Sequence, residues 1–230
     1  MSVRIGLIVP SSNTVVEPEA ARLGRSAWVC VTRVRVTEIS LAADAVAQFG
    51  TGPMTAAASL LGDARVDAVA WAGTAGSWLG TEHDLRLTDA ISSAAGVPAT
   101  TSTLALLEAL RLAGVSRIGL VTPYVTPVVE RIAATFAGAG ITVTGESHLG
   151  LTENHAFAGV GAGPLVAMAR ECAAGAQALV VLCTNVAGGP AAARMSDVTG
   201  LPVFDSVEVT LDAVETLARR HERIGEPCDS

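Results

Sequence analysis

The chain has 230 residues, half of them apolar and only 3% aromatic, with a formal net charge of −7. That length permits one large or two small domains with a sizeable core, and the apolar content is mainly Ala, Val and Leu, which suits buried parallel strands under close-packed helices. All fifteen basic residues are arginine: without lysine there is no Schiff base to pyridoxal phosphate and no P-loop lysine, and the acidic balance argues against nucleic acid as a partner.

Short β-branched runs that stop at Gly, Pro or Ser/Thr clusters predict strands over 4–9, 28–36, 68–72, 99–101, 117–122, 141–148, 178–182 and 203–205. Longer Ala/Leu-rich stretches with three-to-four spacing predict helices over 16–23, 43–61, 84–95, 102–113, 125–137, 164–174, 190–199 and 207–224. Strand and helix alternate throughout, which predicts parallel sheets flanked by helices. No apolar run approaches bilayer-spanning length, and Met1-Ser-Val-Arg-Ile-Gly-Leu leads directly into a strand with no signal-peptide layout. The expected location is cytoplasmic, with no membrane partner.

The order of elements repeats. Arg4-Ile-Gly-Leu-Ile-Val-Pro10 is echoed by Arg117-Ile-Gly-Leu-Val-Thr-Pro123, and Val15-Val-Glu17 by Val128-Val-Glu130. Gly96-Val-Pro98 has a weaker echo in Gly200-Leu-Pro202. These pairs keep their order at offsets near a hundred residues, too long for a solenoid and too short for two full-sized domains. The expected fold is α/β, with two pseudo-symmetric Rossmann-like lobes and an active site in the cleft between them. The N-terminal lobe is placed at 1–114, the C-terminal lobe at 115–206, and the remaining 207–230 as a helix packing back on the first lobe.

The most informative echo joins Val66-Asp-Ala-Val-Ala-Trp-Ala-Gly73-Thr-Ala-Gly-Ser77 to Ala176-Gln-Ala-Leu-Val-Val-Leu-Cys183-Thr-Asn-Val-Ala187. Gly73 faces Cys183, so one lobe ends its strand in a thiol and the other in a glycine. The remaining cysteines, Cys30, Cys172 and Cys228, form no CxxC or Cys/His spacing, and His83, His148, His155 and His221 form no HExxH cluster, so no metal is expected. Cys30 and Cys172 read as inert packing residues and Cys228 as part of a disordered tail.

Ligands of such folds bind beyond the carboxyl ends of the strands. That rule selects the loops 10–14, 73–77, 122–126 and 183–188, each rich in Ser, Thr, Asn or Gly and each leading into a helix whose first N–H groups are free to hold an anion. Ser11, Ser12, Thr14, Thr74, Ser77, Thr122, Tyr124 and Thr184 add hydroxyl donors, a lining suited to a carboxylate. Any one of these residues is also an ordinary helix cap; four such loops converging in a duplicated fold favour a site.

Together these loops resemble the aspartate/glutamate racemase superfamily, and within it the group of maleate cis-trans isomerase and arylmalonate decarboxylase. Pro10-Ser-Ser-Asn13-Thr-Val-Val-Glu17 resembles the isomerase substrate loop, Gly73-Thr-Ala-Gly-Ser77 the first catalytic loop, Pro123-Tyr124 the loop supplying a tyrosine hydroxyl, and Leu182-Cys183-Thr184-Asn185 the second catalytic loop. The resemblance implies a cofactor-independent enzyme on small carboxylates. Racemases and maleate isomerase use two cysteines; glycine first and cysteine second is the decarboxylase pattern. It implies catalytic roles for Cys183, Thr74 and Tyr124, with Gly73 at the position of the missing first cysteine, and substrate binding by Pro10, Ser11, Asn13, Ala75, Ser77, Thr184 and Asn185. Ala75 departs from the decarboxylase, which has a serine there, and Trp78 is the one candidate for a wall facing an aryl group.

Three readings follow. The first is a lyase that decarboxylates a malonate-type diacid, with Cys183 protonating the enediolate as an ordinary, mostly protonated thiol. The second is a cis-trans isomerase or racemase with a non-cysteine first catalytic group. The third is a non-catalytic carboxylate binder. His83, Asp84, His155 and Asp205 are supporting polar residues near the loops, and Ala/Val-rich helix faces leave a homo-oligomer open.

Overall fold

Each predicted strand forms: the runs at 4–10, 68–71, 117–122 and 178–181 are almost wholly buried and need no polar alternation, whereas those at 28–34 and 142–148 lie at sheet edges and mix exposed with half-buried residues. The computed structural model describes residues 2–225; Cys228 lies outside them. The N-terminal half runs β1 (Arg4–Pro10), α1 (Val16–Arg22), β2 (Trp28–Val34), α2 (Ala43–Ala47), α3 (Thr51–Asp63), β3 (Ala68–Trp71), α4 (Gly76–Leu79), α5 (Thr81–Ala95), β4 (Ala99–Thr101) and α6 (Ser102–Leu112). The second half runs β5 (Arg117–Thr122), α7 (Thr126–Gly138), β6 (Thr142–His148), α8 (Asn154–Phe157), α9 (Ala162–Cys172), β7 (Ala178–Val181), α10 (Gly188–Thr199), β8 (Val203–Asp205) and α11 (Ser206–Gly225).

Two four-stranded parallel sheets result, ordered β2-β1-β3-β4 and β6-β5-β7-β8. The identical orders are the structural form of the internal echo. In each sheet the chain turns outward on opposite sides of the first and third strands, opening a crevice at their carboxyl ends. Those four ends carry the loops selected from the sequence.

One expected helix needs correcting and two short ones are added. The helix predicted over 43–61 is two helices, α2 and α3, interrupted at Gln48, Phe49 and Gly50. Gly50 takes extended backbone as the cap of α3, and Pro53 sits in that helix's first turn, where its missing N–H costs nothing. The one-turn helices α4 and α8 were not foreseen, since four residues carry no periodicity to detect.

One continuous core runs through both lobes and includes Ile8, Trp71, Leu106, Ile118, Tyr124, Phe136 and Cys183. A second core joins Ile5, Leu7, Val9, Ala68 and Ala70 to Val207, Leu211, Val214 and Ala218 of α11. The last helix therefore covers the outer face of the first lobe's sheet. Among the described residues, no helix is long and apolar enough to cross a membrane.

Candidate active site

The loop after β1 is fixed by Asn13, which is fully buried. Its Oδ1 accepts from the amides of Val15 and Val16 at 2.9 and 3.1 Å, starting α1, and its Nδ2 donates to Thr184 Oγ1 at 3.3 Å. Thr184 in turn donates to the Ala72 carbonyl at 2.9 Å. Asn185 accepts from the Thr14 amide at 2.9 Å and donates to the Asn154 carbonyl at 2.5 Å and the Ser12 carbonyl at 3.5 Å. Asn13, Thr184 and Asn185 thus stitch the first lobe's loops to the loop after β7.

Several other hydroxyls are spent on backbone. Ser11 is exposed and exchanges bonds of 3.3 and 3.4 Å with Val36, and Ser12 donates to the Val36 carbonyl at 2.6 Å. Ser77 donates to the Thr74 carbonyl at 2.7 Å, and Thr122 to the Leu182 carbonyl at 3.1 Å. Pro10 ends β1 and offers its carbonyl to the Asn13 amide at 3.0 Å.

At the centre, Tyr124 Oη lies 2.9 Å from Thr74 Oγ1, close enough to the Cys183 thiol for each to shift the other's titration. The Asn185 amide donates to Cys183 Sγ at 3.3 Å. Three residues from three loops therefore meet, as the sequence placed them. The expectation of an ordinary thiol is corrected: burial pushes Cys183 up to about 12, with the tyrosine and amide contacts pulling down and Asp205 adding to the rise. Burial likewise raises the Tyr124 phenol well above its ordinary value. At neutral pH both groups hold their protons. Around them, the buried amides of Thr74, Ala75, Cys183 and Thr184 find no hydrogen-bond acceptor among the described residues, and Ala75 contributes only that amide.

An aromatic wall stands beside the thiol. Phe49, Trp78, Tyr124 and Phe157 follow one another edge-to-face, with centroids 6.0, 5.1 and 5.6 Å apart. The sequence disclosed only Trp78, because the other members come from distant segments and no spacing links them. Asn154 was also missed: its Nδ2 donates to Ser12 Oγ at 2.8 Å, and nothing in its sequence context marks it.

The supporting residues divide. His155 is exposed, and burial with the neighbouring Arg86 lowers His83. Asp84 and Asp205 are buried against glycines of the loops after β3 and β7: a Cβ on Gly76 would collide with the Asp84 carboxyl, and one on Gly188 with Asp205 Oδ2. Asp205 Oδ1 caps α11 through the amides of Val207 and Glu208 at 3.0 and 3.1 Å. Asp84 instead reaches from α5 to accept from Thr101 Oγ1 at 2.5 Å. Each lobe thus buries one carboxyl behind the loop after its third strand, supplied from a different element.

Comparison with known proteins bears on what this geometry serves. Arylmalonate decarboxylase of Bordetella bronchiseptica is 34% identical over 130 residues, 55% of this chain and 54% of that enzyme, so the match spans about half the relative's length. Maleate isomerase of Geobacillus stearothermophilus is 25% identical over 225 residues, 90% of this chain and 88% of that enzyme. A liganded crystal structure of an arylmalonate decarboxylase variant, with one glycine changed to cysteine and one cysteine to serine, superposes with a TM-score of 0.83 at 25% identity, covering 94% of this chain and 93% of the other. All of these relatives are enzymes. The family described as arylmalonate decarboxylase matches residues 5–226, which takes in both sheets but for Arg4, the first residue of β1. The chain belongs to the arylmalonate decarboxylase family.

Proposed function

We propose that this enzyme decarboxylates a malonate-type diacid bearing an apolar substituent, with Cys183 as the single proton donor. The observation that carries this reading is the unequal pair of strand ends: Cys183 follows β7 and accepts from the Asn185 amide at 3.3 Å, whereas the matching residue after β3 is Gly73, with no side chain to attack or to carry a proton. Loss of CO2 needs no base, because the electron pair of the breaking C–C bond flows into the remaining carboxylate to form an enediolate. The Thr74 and Tyr124 hydroxyls and the unpaired amides of Thr74, Ala75 and Thr184 are the donors for that developing charge. The Cys183 S–H then gives its proton to carbon, and the thiolate regains one from solvent. The aromatic wall of Phe49, Trp78, Tyr124 and Phe157 supports an apolar or aryl substituent.

The test is proton NMR in D2O with phenylmalonate, methylmalonate, maleate, aspartate and glutamate. A monodeuterated, single-handed monoacid is expected from a malonate, with Cys183→Ala slowed by about 10²–10⁴, the scale of one general acid. Fumarate from maleate, or exchange into an amino acid, would overturn the reading in favour of a two-sided isomerase or racemase. Tight binding without turnover, unaffected by Cys183→Ala, would mark a carboxylate binder.

A further inference from the structure

We propose that Trp71 makes this site one-faced: its indole fills the space that a side chain at position 73 would need, closing the substrate carbon on the side opposite Cys183. A Cβ built on Gly73 would stand 2.5 Å from Trp71 Cε2 and Cζ2 and 2.8 Å from Nε1. Real side chains do not approach so closely, so the ring or the backbone would have to move. The ring has little freedom, because Trp71 is fully buried in the core common to both lobes. Its backbone pairs with Ile8 on one side and Thr101 on the other.

The duplication sharpens the point. Trp71 and Gly73 in one lobe stand where Val181 and Cys183 stand in the other. Gly73 lies just past the end of β3, where the chain brings its Cα against the Trp71 ring, so bulk at the first position is paired with no side chain at the second. The second lobe inverts the pairing, with a small β-branched residue first and the thiol second. Trp71 Nε1 is buried and without a partner among the described residues. An unpaired buried donor at that spot fits a face built to meet an acceptor oxygen, not a second acid.

The packing part stands by itself, whereas its catalytic consequence rests on the one-thiol reading, and two measurements keep them apart. In thermal unfolding, Gly73→Ala is expected to lower the Tm of the wild type and to cost much less in the Trp71→Leu background. Trp71→Phe, with a smaller ring in the same place, is the second background should the leucine variant fold poorly. Equal losses in all backgrounds would overturn the proposal. In D2O, Gly73→Cys alone is expected to leave the product acid single-handed and free of α-exchange, and Gly73→Cys with Trp71→Leu or Trp71→Phe to open racemisation and exchange. Exchange as fast in Gly73→Cys alone would also overturn it. Absence of turnover in the wild type would sink the decarboxylase reading and leave the unfolding comparison to decide the position of Trp71.

Discussion

Tyr124 sits between Thr74 and the thiol, so its hydroxyl is spent on the site and not on packing. Tyr124→Phe keeps the ring in the aromatic wall and removes one donor; kcat is expected to fall about 10²–10³, with the fold unchanged by circular dichroism. Asp205 and Asp84 set a different dependence. Burial raises Asp205 from 3.8 to about 7 and Asp84 from 3.8 to about 6, and Asp205 Oδ2 and Asp84 Oδ1 find no partner among the described residues. The folded protein therefore holds protons that the unfolded chain has released between pH 3.8 and about 7. The stability these groups contribute is present at the acid end of that window and lost as pH rises through it, by on the order of a few kcal/mol. Denaturant melts at roughly pH 5 and pH 8 should show a larger loss for the wild type than for Asp205→Asn, which keeps an oxygen to cap α11. An equal loss in both would remove Asp205 from the account.

Among the elements, helix α9 approaches its sheet over glycines. A Cβ on Gly119 of β5 or Gly145 of β6 would strike the Cys172 carbonyl at the end of α9. The register between β5 and β6 shifts between Ile118 and Gly119, so the bulge brings the two glycines level under one carbonyl. Backbone cannot yield as a flexible side chain does, and Gly119→Ala is expected to destabilise by about 1–3 kcal/mol in urea melts, the usual scale of overpacking. Part of this was legible. Gly119 lies within the echo Arg-Ile-Gly-Leu, and its counterpart Gly6 meets Leu61, Val66 and Val69 in the first lobe. Strands were read to within a residue or two because their Ala/Val/Leu runs end at turn residues. The break between α2 and α3 was not, because the Ala-rich spacing on either side of Gly50 outweighed the Gly50 and Pro53 start signals that mark it.

At the scale of the molecule, contacts from both lobes clasp the chain beside the Cys183 loop. The Ile39 amide donates to the Thr152 carbonyl at 2.9 Å and the Asn154 amide to the Thr37 carbonyl at 3.0 Å, an antiparallel clasp joining the loops that follow β2 and β6. Asn154 ties this clasp to Ser12 and, through its carbonyl, to Asn185 beside the thiol. Cys183 is only 2% exposed, so a reagent reaches it when the clasp opens. Modification by a neutral maleimide, followed peptide by peptide, is expected to be slow at Cys183 and faster at the half-buried Cys30. Asn154→Ala should accelerate Cys183 severalfold and leave Cys30 unchanged. No acceleration would mean that the clasp does not limit access.

The sequence by itself determined the two-lobed α/β frame, the four strand-end loops and the pairing of Gly73 with Cys183, because strand periodicity, turn residues and an internal repeat are local patterns that survive in one dimension. Only the tertiary structure decided how the lining is used. Whether a hydroxyl meets another side chain, like Thr74 with Tyr124, or holds a carbonyl, like Thr122, depends on partners in other segments. The wall of Phe49, Trp78, Tyr124 and Phe157, the raised Cys183 thiol and the indole over Gly73 arise for the same reason: burial and close approach are properties of residues far apart in the chain, brought together by two sheets packing on one core.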